Sequence, residues 1–346
     1  KGRAGRVYPG ICYRAYSKKQ YDNMLKNPIV PIKKSNVTEM ILSLLLREEI
    51  NNLADMLDFL RKFIERPPKE FVISALRTLH LLGLIESINS QSTITDKGRM
   101  ILEINSKKVN DLFSSVALYY AKIYKCSEEM SMILSAMNEV KDISDLFVDT
   151  NNLVDEEKKE ERVKLFTDSH GDAFSLYSIV KGFFKAKFRH TSEKEAFKSE
   201  VDIRKWCKLN YINFGKLNNI YDKAKEIYRK TPKINLEPEY NIPNLKDRIS
   251  YCLLKGFLAN LAKNTGKTKK DRFTKKDIKV MKNIFPLKAT TAPVSAKSYF
   301  SQGNYIIYKS LYNASNQRSF NLVTRINKNI INLLNDFEIA YLKLSL

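Results

Sequence analysis

The stretch PPKEFVISALRTLHLLGLIES, residues 67–87, decides how the first third of the chain folds. Pro67 and Pro68 break whatever precedes them, because neither offers a backbone N–H and both fix φ. Val72, Leu76, Leu79 and Leu82 then recur on one face, which predicts a helix over 70–82. Gly83 ends it, since glycine tolerates the left-handed cap geometry. Ile85-Glu86-Ser87-Ile88 and Thr93-Ile94-Thr95 read as two short strands around a polar tip. Upstream, Val37, Met40, Ile41, Leu44 and Leu45 predict a helix over 36–46, and another is expected over 53–63.

Helix, helix, helix, hairpin is the order of a winged helix. Such domains often bind nucleic acid, and many are spacers. Working outward, residues 10–16 alternate and carry aromatics, which reads as a strand, and Ser17 reads as the N-cap of a short helix through Leu25. Pro28 and Pro31 mark 26–34 as a linker. On the other side the pattern is helical over 109–124, 127–138, 172–188, 200–209, 214–229 and 245–263. The charged run 155–164 reads as a solvated helix start or loop, and three prolines make 231–243 a long connection. Residues 264–283 form a basic linker. Tyr305-Ile306-Ile307-Tyr308 and residues 320–326 read as strands of a small β-barrel of the OB type, closed by a helix from Asn329.

Composition narrows the chemistry. The 346 residues carry 60 Lys plus Arg against 38 Asp plus Glu, a net charge of +22, which favours a polyanionic partner. No apolar run reaches the roughly 18 residues a membrane helix needs. Cys12, Cys126, Cys207 and Cys252 are widely separated, and His80, His170 and His190 lack ligand spacing. Neither a metal site nor a disulfide scaffold is expected, and a reducing intracellular setting fits. Lys1-Gly2-Arg3-Ala4-Gly5-Arg6 has neither an initiator Met nor an apolar signal core, so the chain reads as part of something longer.

Two short motifs invite a nucleotide. Gly266-Lys267-Thr268 fails as a phosphate loop, because Leu261 stands where the pattern needs glycine and a helix is expected to precede it. Arg3-Ala4-Gly5-Arg6 is more informative. Two arginines three apart in a glycine-bearing loop can converge on one phosphate, and such guanidinium groups stabilise charge on a transferring phosphoryl.

In that context KGRAGRVYPGICYRAY (1–16) resembles motif VI of the DEAH/RHA helicases, Q-R-x-G-R-A-G-R, with the strand that follows it. The resemblance continues in order. PIKKSNVTEMILS (31–43) resembles the family's entry into its winged helix, with Lys34 for the usual Arg. Residues 67–87 with 93–100, YKCSEEMSM (124–132), FTDSHGDAFSLYSIV (166–180, Ala173 replacing His), 206–227, 248–262 and 294–326 resemble successive family segments.

The resemblance implies a mainly α chain with a small β-barrel. It divides into the end of a RecA-like α/β domain (1–25), a winged helix (26–104), a helical-bundle or ratchet domain (105–265), and a basic linker with an OB-fold (266–346). It implies the C-terminal part of an ATP-dependent RNA helicase moving 3′ to 5′. Arg3 and Arg6 would act as arginine fingers, and Gly2, Arg3 and Arg6 would meet ATP, whose Mg2+ is bound mainly elsewhere. Arg318, Thr324 and Arg325 are the candidates for contact with single-stranded RNA, with DNA left open. An activator protein would dock on the OB-fold or winged helix, and no membrane is involved. The setting would be cytoplasm or nucleus, or a virion or virus factory for a viral branch. The alternatives are a stand-alone RNA-binding adaptor with a vestigial motif VI, or a DNA-directed helicase.

Overall fold

The computed structural model describes residues 5, 7–25, 27–106, 111–150, 153–191, 194–197, 200–270, 277–283, 292–293, 305–314 and 317–344. Side chains at 188–202, 264–283, 292–293, 312–319 and 342–344 lie outside that description.

The amino-terminal segment is the least packed. Ser17 opens α1 (Lys18–Asp22) with a full capping box: its hydroxyl accepts from the Gln20 N–H, and the Gln20 side chain accepts from the Ser17 N–H. The expected strand over 10–16 does not form. A strand exists only within a ladder, no described segment pairs with these residues, and Ile11 and Tyr13 stand exposed.

Residues 38–104 follow the expected plan more closely. Helices α2 (Thr38–Leu44), α3 (Leu53–Arg61) and α4 (Lys69–Leu81) bury Ile41, Leu42, Met56 and Leu79 completely or nearly so. Each such side chain contributes about 1.5–3 kcal/mol by leaving water. The end of α4 is a Schellman motif, with Gly83 at φ +67. The Leu84 N–H reaches the Leu79 carbonyl at 2.9 Å and the Gly83 N–H reaches that of His80 at 2.9 Å. The expected hairpin reduces to one bridge, Ile85 with Ile94. A helix that periodicity did not single out follows, α5 (Asp96–Ile104), capped by Thr95.

The helical bundle comprises α6 (Leu112–Ile123), α7 (Ser127–Glu139), α8 (Leu153–Phe166), α9 (Asp172–Lys187), α10 (Glu200–Leu209), α11 (Phe214–Lys230) and α12 (Leu245–Gly256). The charged run at 155–164 is helical, within α8, and buries nothing. Helix α12 lies at the centre, with Tyr251, Cys252, Leu253 and Leu254 all fully buried. It crosses α6 closely: a Cβ on Gly256 would lie 2.5 Å from the Ala117 Cβ. That approach explains why only a small residue fits there. The expected helix over 245–263 stops at Gly256, and the chain turns through a 3-10 segment (Leu258–Asn260) into a strand. Cys126 and Cys252, 126 positions apart, meet with their sulfurs 3.8 Å apart as free thiols. Trp206 is a core side chain, edge-on to Phe166 and Phe183.

A two-stranded hairpin, β1 (Phe188–Thr191) and β2 (Lys194–Phe197), follows α9 and has no counterpart in the sequence reading. The larger sheet comprises β3 (Leu261–Lys270), β4 (Asp277–Asn283), β5 (Ala292–Pro293), β6 (Tyr305–Ala314) and β7 (Gln317–Ile326), all antiparallel, in the order β5-β4-β3-β6-β7. Two expectations change here. The basic stretch 264–283 is not simply a linker, because most of β3 and all of β4 lie within it. And among the described residues no ladder joins β5 to β7, so the sheet is open rather than a closed barrel. The molecule is thus mainly helical with a small open sheet.

Helices α13 (Lys328–Ile331) and α14 (Asp336–Leu344) end the described chain. Asn335 and Glu338 exchange backbone N–H bonds at the start of α14, a capping box. Glu338 is buried and pairs with buried Lys255 of α12. Nearby, the Lys97 amine donates to the Leu82 carbonyl (2.7 Å) and to the Tyr120 hydroxyl (2.9 Å). Burial, together with the charge of Lys255, brings that amine down to about 7, while Glu338 pulls the other way.

Candidate nucleic-acid interface

The sheet reaches the bundle through a loop and one strand. Residues 167–171 join α8 to α9, and Gly171 sits against β7 with φ +111. A Cβ there would stand 2.5 Å from the Val323 carbonyl oxygen and 2.9 Å from the Thr324 Cα. Glycine is the residue that allows this approach. Asp172, the first residue of α9, accepts the Val323 N–H at 2.8 Å. It is an acid at a helix start, where the dipole favours it. The Arg325 N–H donates to the His170 carbonyl at 2.8 Å, and the Ala173 N–H donates to the Thr324 hydroxyl at 3.3 Å. Gly171 and Asp172 thus form a clasp between bundle and sheet.

Asp168 steadies the same loop. Its carboxylate accepts from the His170 N–H and stands 2.9 Å from His170 Nδ1, and it pairs with Lys246 at 2.7 Å. Burial alone would raise its pKa. The Lys246 bond and the two His170 contacts outweigh that and hold it below the usual carboxylate value.

The clasp bears on the expected RNA contacts. Thr324 is 1 % exposed and its hydroxyl faces Ala173, so it docks β7 rather than meeting solvent. Burial of a hydroxyl that already holds a partner leaves no edge for a phosphate. Arg325 is half-buried, and its Nε is buried with no hydrogen-bond partner. The backbone of Arg318 pairs with Asn313 in the β6–β7 ladder, and its side chain lies outside the described residues. Gly2, Arg3 and Arg6 also lie outside them. The structure therefore brings Thr324 and Arg325 together at the clasp and does not relate them to the Gly-Arg segment.

One cluster escaped the sequence. Strand β7 holds Leu322 in the left-handed region, at φ +48, and the β6–β7 ladder skips Leu322 and Lys309. Lys309 reaches Asp111 (2.5 Å) and Asn138 (2.5 Å) at the ends of α6 and α7. A strain of about 1–3 kcal/mol at a non-glycine residue of this kind needs such compensating contacts. Only the alternation of β6 around Lys309 hinted at its position; its partners are 198 and 171 residues away.

The register of β3 and β4 places Lys263 opposite Lys282. Like charges directly opposed destabilise a sheet unless something screens them. Gly266-Lys267-Thr268 runs in strand β3 rather than in a loop before a helix, so it does not fit a phosphate cradle. Among the described residues no cluster could hold a metal ion, and no helix is long and apolar enough to cross a membrane.

No protein-family model matches the chain. Individual proteins do. The ATP-dependent RNA helicase DHX33 of Drosophila melanogaster is 28% identical over 264 residues, 75% of this chain and 33% of its own length. The pre-mRNA-splicing factor ATP-dependent RNA helicase DEAH10 of Arabidopsis thaliana is 25% identical over 271 residues, 75% of this chain and 34% of its own length. The pre-mRNA-splicing factor ATP-dependent RNA helicase prp22 of Schizosaccharomyces pombe is 27% identical over 267 residues, 76% of this chain and 20% of its own length. The chain thus spans about a third or less of the length of these relatives. Over about three quarters of its length the chain is thus similar to several DEAH-type ATP-dependent RNA helicases.

Proposed function

We propose that the chain is the C-terminal, strand-holding portion of an ATP-dependent RNA helicase. The observation that carries this is its likeness to RNA helicases over three quarters of its length. In this reading α2 to α5 form a winged helix, α6 to α12 a ratchet bundle, and the sheet an OB-like module. The order of helices and the single bridge at Ile85 support the first, and the open antiparallel sheet supports the last only in part.

Single-stranded RNA is the substrate in this reading. The opposed lysines of β3 and β4, within a chain of net charge +22, suit a phosphate backbone. Arg318 and Arg325 remain the candidate contacts on the sheet, and Gly2, Arg3 and Arg6 the contacts to ATP and its Mg2+ in the assembled motor. The 3′-to-5′ direction, an activator protein on the sheet or winged helix, and a cytoplasmic or nuclear setting belong to the same reading.

Titrating the chain with a labelled single-stranded RNA at several salt concentrations tests it. The expected result is binding at low salt whose logarithm falls linearly with log salt, with a slope of about −0.7 per phosphate neutralised. An equal titration with DNA of the same sequence separates an RNA-directed from a DNA-directed protein. No affinity for either strand at low salt would refute the strand-holding role.

A further inference from the structure

Where the loop before α2, the outer face of α4, the start of α6 and the turn at 258–260 meet, they enclose a recess of about 310 Å³. Lys34, Asn36, Phe71, Ser74, Phe113 and Asn260 are among its lining residues, and among the described residues no carboxylate lines it. We propose that this recess binds one nucleotide of a single strand, with the phosphate at Lys34 and the base against Phe71 and Phe113. This rests on the strand-holding reading above.

Size is the first argument. Ligand pockets run from about 300 to 1,000 Å³, so this one takes a single unit of a chain rather than several. Chemistry is the second. Phe71 is 37% exposed on α4, and Phe113 leans on Phe257 at 6.0 Å. Phe113 is thereby held in place as a wall. Aromatic faces beside a cation are what a base and its phosphate require, and every base has such a face.

Hydrogen bonding is the third argument. The oxygen of the Asn36 side chain is already spent on the Thr38 N–H and hydroxyl, which leaves its amide NH2. The Asn260 NH2 is spent on the Tyr308 and Lys309 carbonyls, which leaves its oxygen. The recess therefore offers a fixed donor at Asn36 and a fixed acceptor at Asn260, each held by its other half. A preformed donor and acceptor lose little on binding a base edge or ribose hydroxyl. A metal ion would find no carboxylate among the described lining residues.

The test uses the whole chain and a 12-mer oligouridylate carrying a fluorescent end label, with a second oligonucleotide containing 2-aminopurine. Phe71→Ala is expected to weaken binding about fivefold or more, as loss of one stacked base does, and to abolish the fluorescence change of 2-aminopurine. Phe71→Tyr keeps the ring and should restore both. Lys34→Ala, at an exposed site where folding is not at stake, should lower the salt slope by about one phosphate's share. Binding that is equal in wild type, Phe71→Ala and Lys34→Ala overturns the recess and leaves the strand-holding reading intact. Absence of any RNA binding by the wild type overturns both. Loss in Phe71→Ala that Phe71→Tyr does not restore assigns Phe71 to the fold and likewise overturns the recess.

Discussion

Replacing Lys97 by methionine removes a titration that the fold has displaced. The Lys97 amine is under cover, hydrogen-bonded to Leu82 and Tyr120, and its pKa falls from 10.5 to about 7. In the unfolded chain the amine has its ordinary value. Between the two values the unfolded chain holds a proton that the folded chain does not. The folded state is therefore penalised as pH falls from 10.5 toward 7, and the penalty is complete below 7. At 1.36 kcal/mol per unit, its ceiling is about 5 kcal/mol.

Moving from pH 7 to pH 9 should relieve about 2 kcal/mol of it in the wild type and none in Lys97→Met. Urea unfolding of both proteins at both pH values measures this as a double difference. The hydrogen bonds lost to Leu82 and Tyr120 and the other titrating groups largely cancel in that difference. Wild-type stability should thus rise relative to the variant by about 2 kcal/mol over the interval. A double difference under about 0.5 kcal/mol would mean that the amine titrates as an ordinary exposed lysine, and the reasoning would fail.

Other perturbations follow from the same contacts. Gly171→Ala should cost about 2–5 kcal/mol in denaturant unfolding, from strain at φ +111 and from the 2.5 Å clash with Val323. Gly5→Ala, where a Cβ meets nothing within 4 Å, is the milder glycine control. Glu338→Ala leaves Lys255 buried without its carboxylate and should cost about 3–5 kcal/mol, seen as a lower urea midpoint. Glu65→Ala breaks an exposed pair with Lys33 and should change that midpoint by less than about 1 kcal/mol.

Much of this protein can be read locally, although α5 with its own Thr95 cap and the short hairpin β1–β2 went unread. Apolar spacing located α4 to within a residue and Gly83 as its end, because helix caps depend on the chain's own neighbours. The N-cap at Ser17 and the helices at 112–123 and 127–139 follow for the same reason. Elements that need a distant partner were misread. Residues 10–16 have strand character and no described strand to pair with, while 264–283 looked like a solvated linker and carries paired strands.

The candidate site divides along the same line. Sequence alone determined that the chain is basic and that it resembles a helicase family in order along its length. Only the tertiary structure decided that Gly171 and Asp172 clasp β7, that Thr324 is consumed in that clasp, and that Lys309 turns to Asp111 and Asn138 across the chain. It also brought the Cys126 and Cys252 thiols together and put Lys97 beside Lys255 and Glu338. The physical reason is that backbone propensity and caps act over a few residues. Burial, close approach and ionisation are set by whatever the fold carries in from more than a hundred positions away.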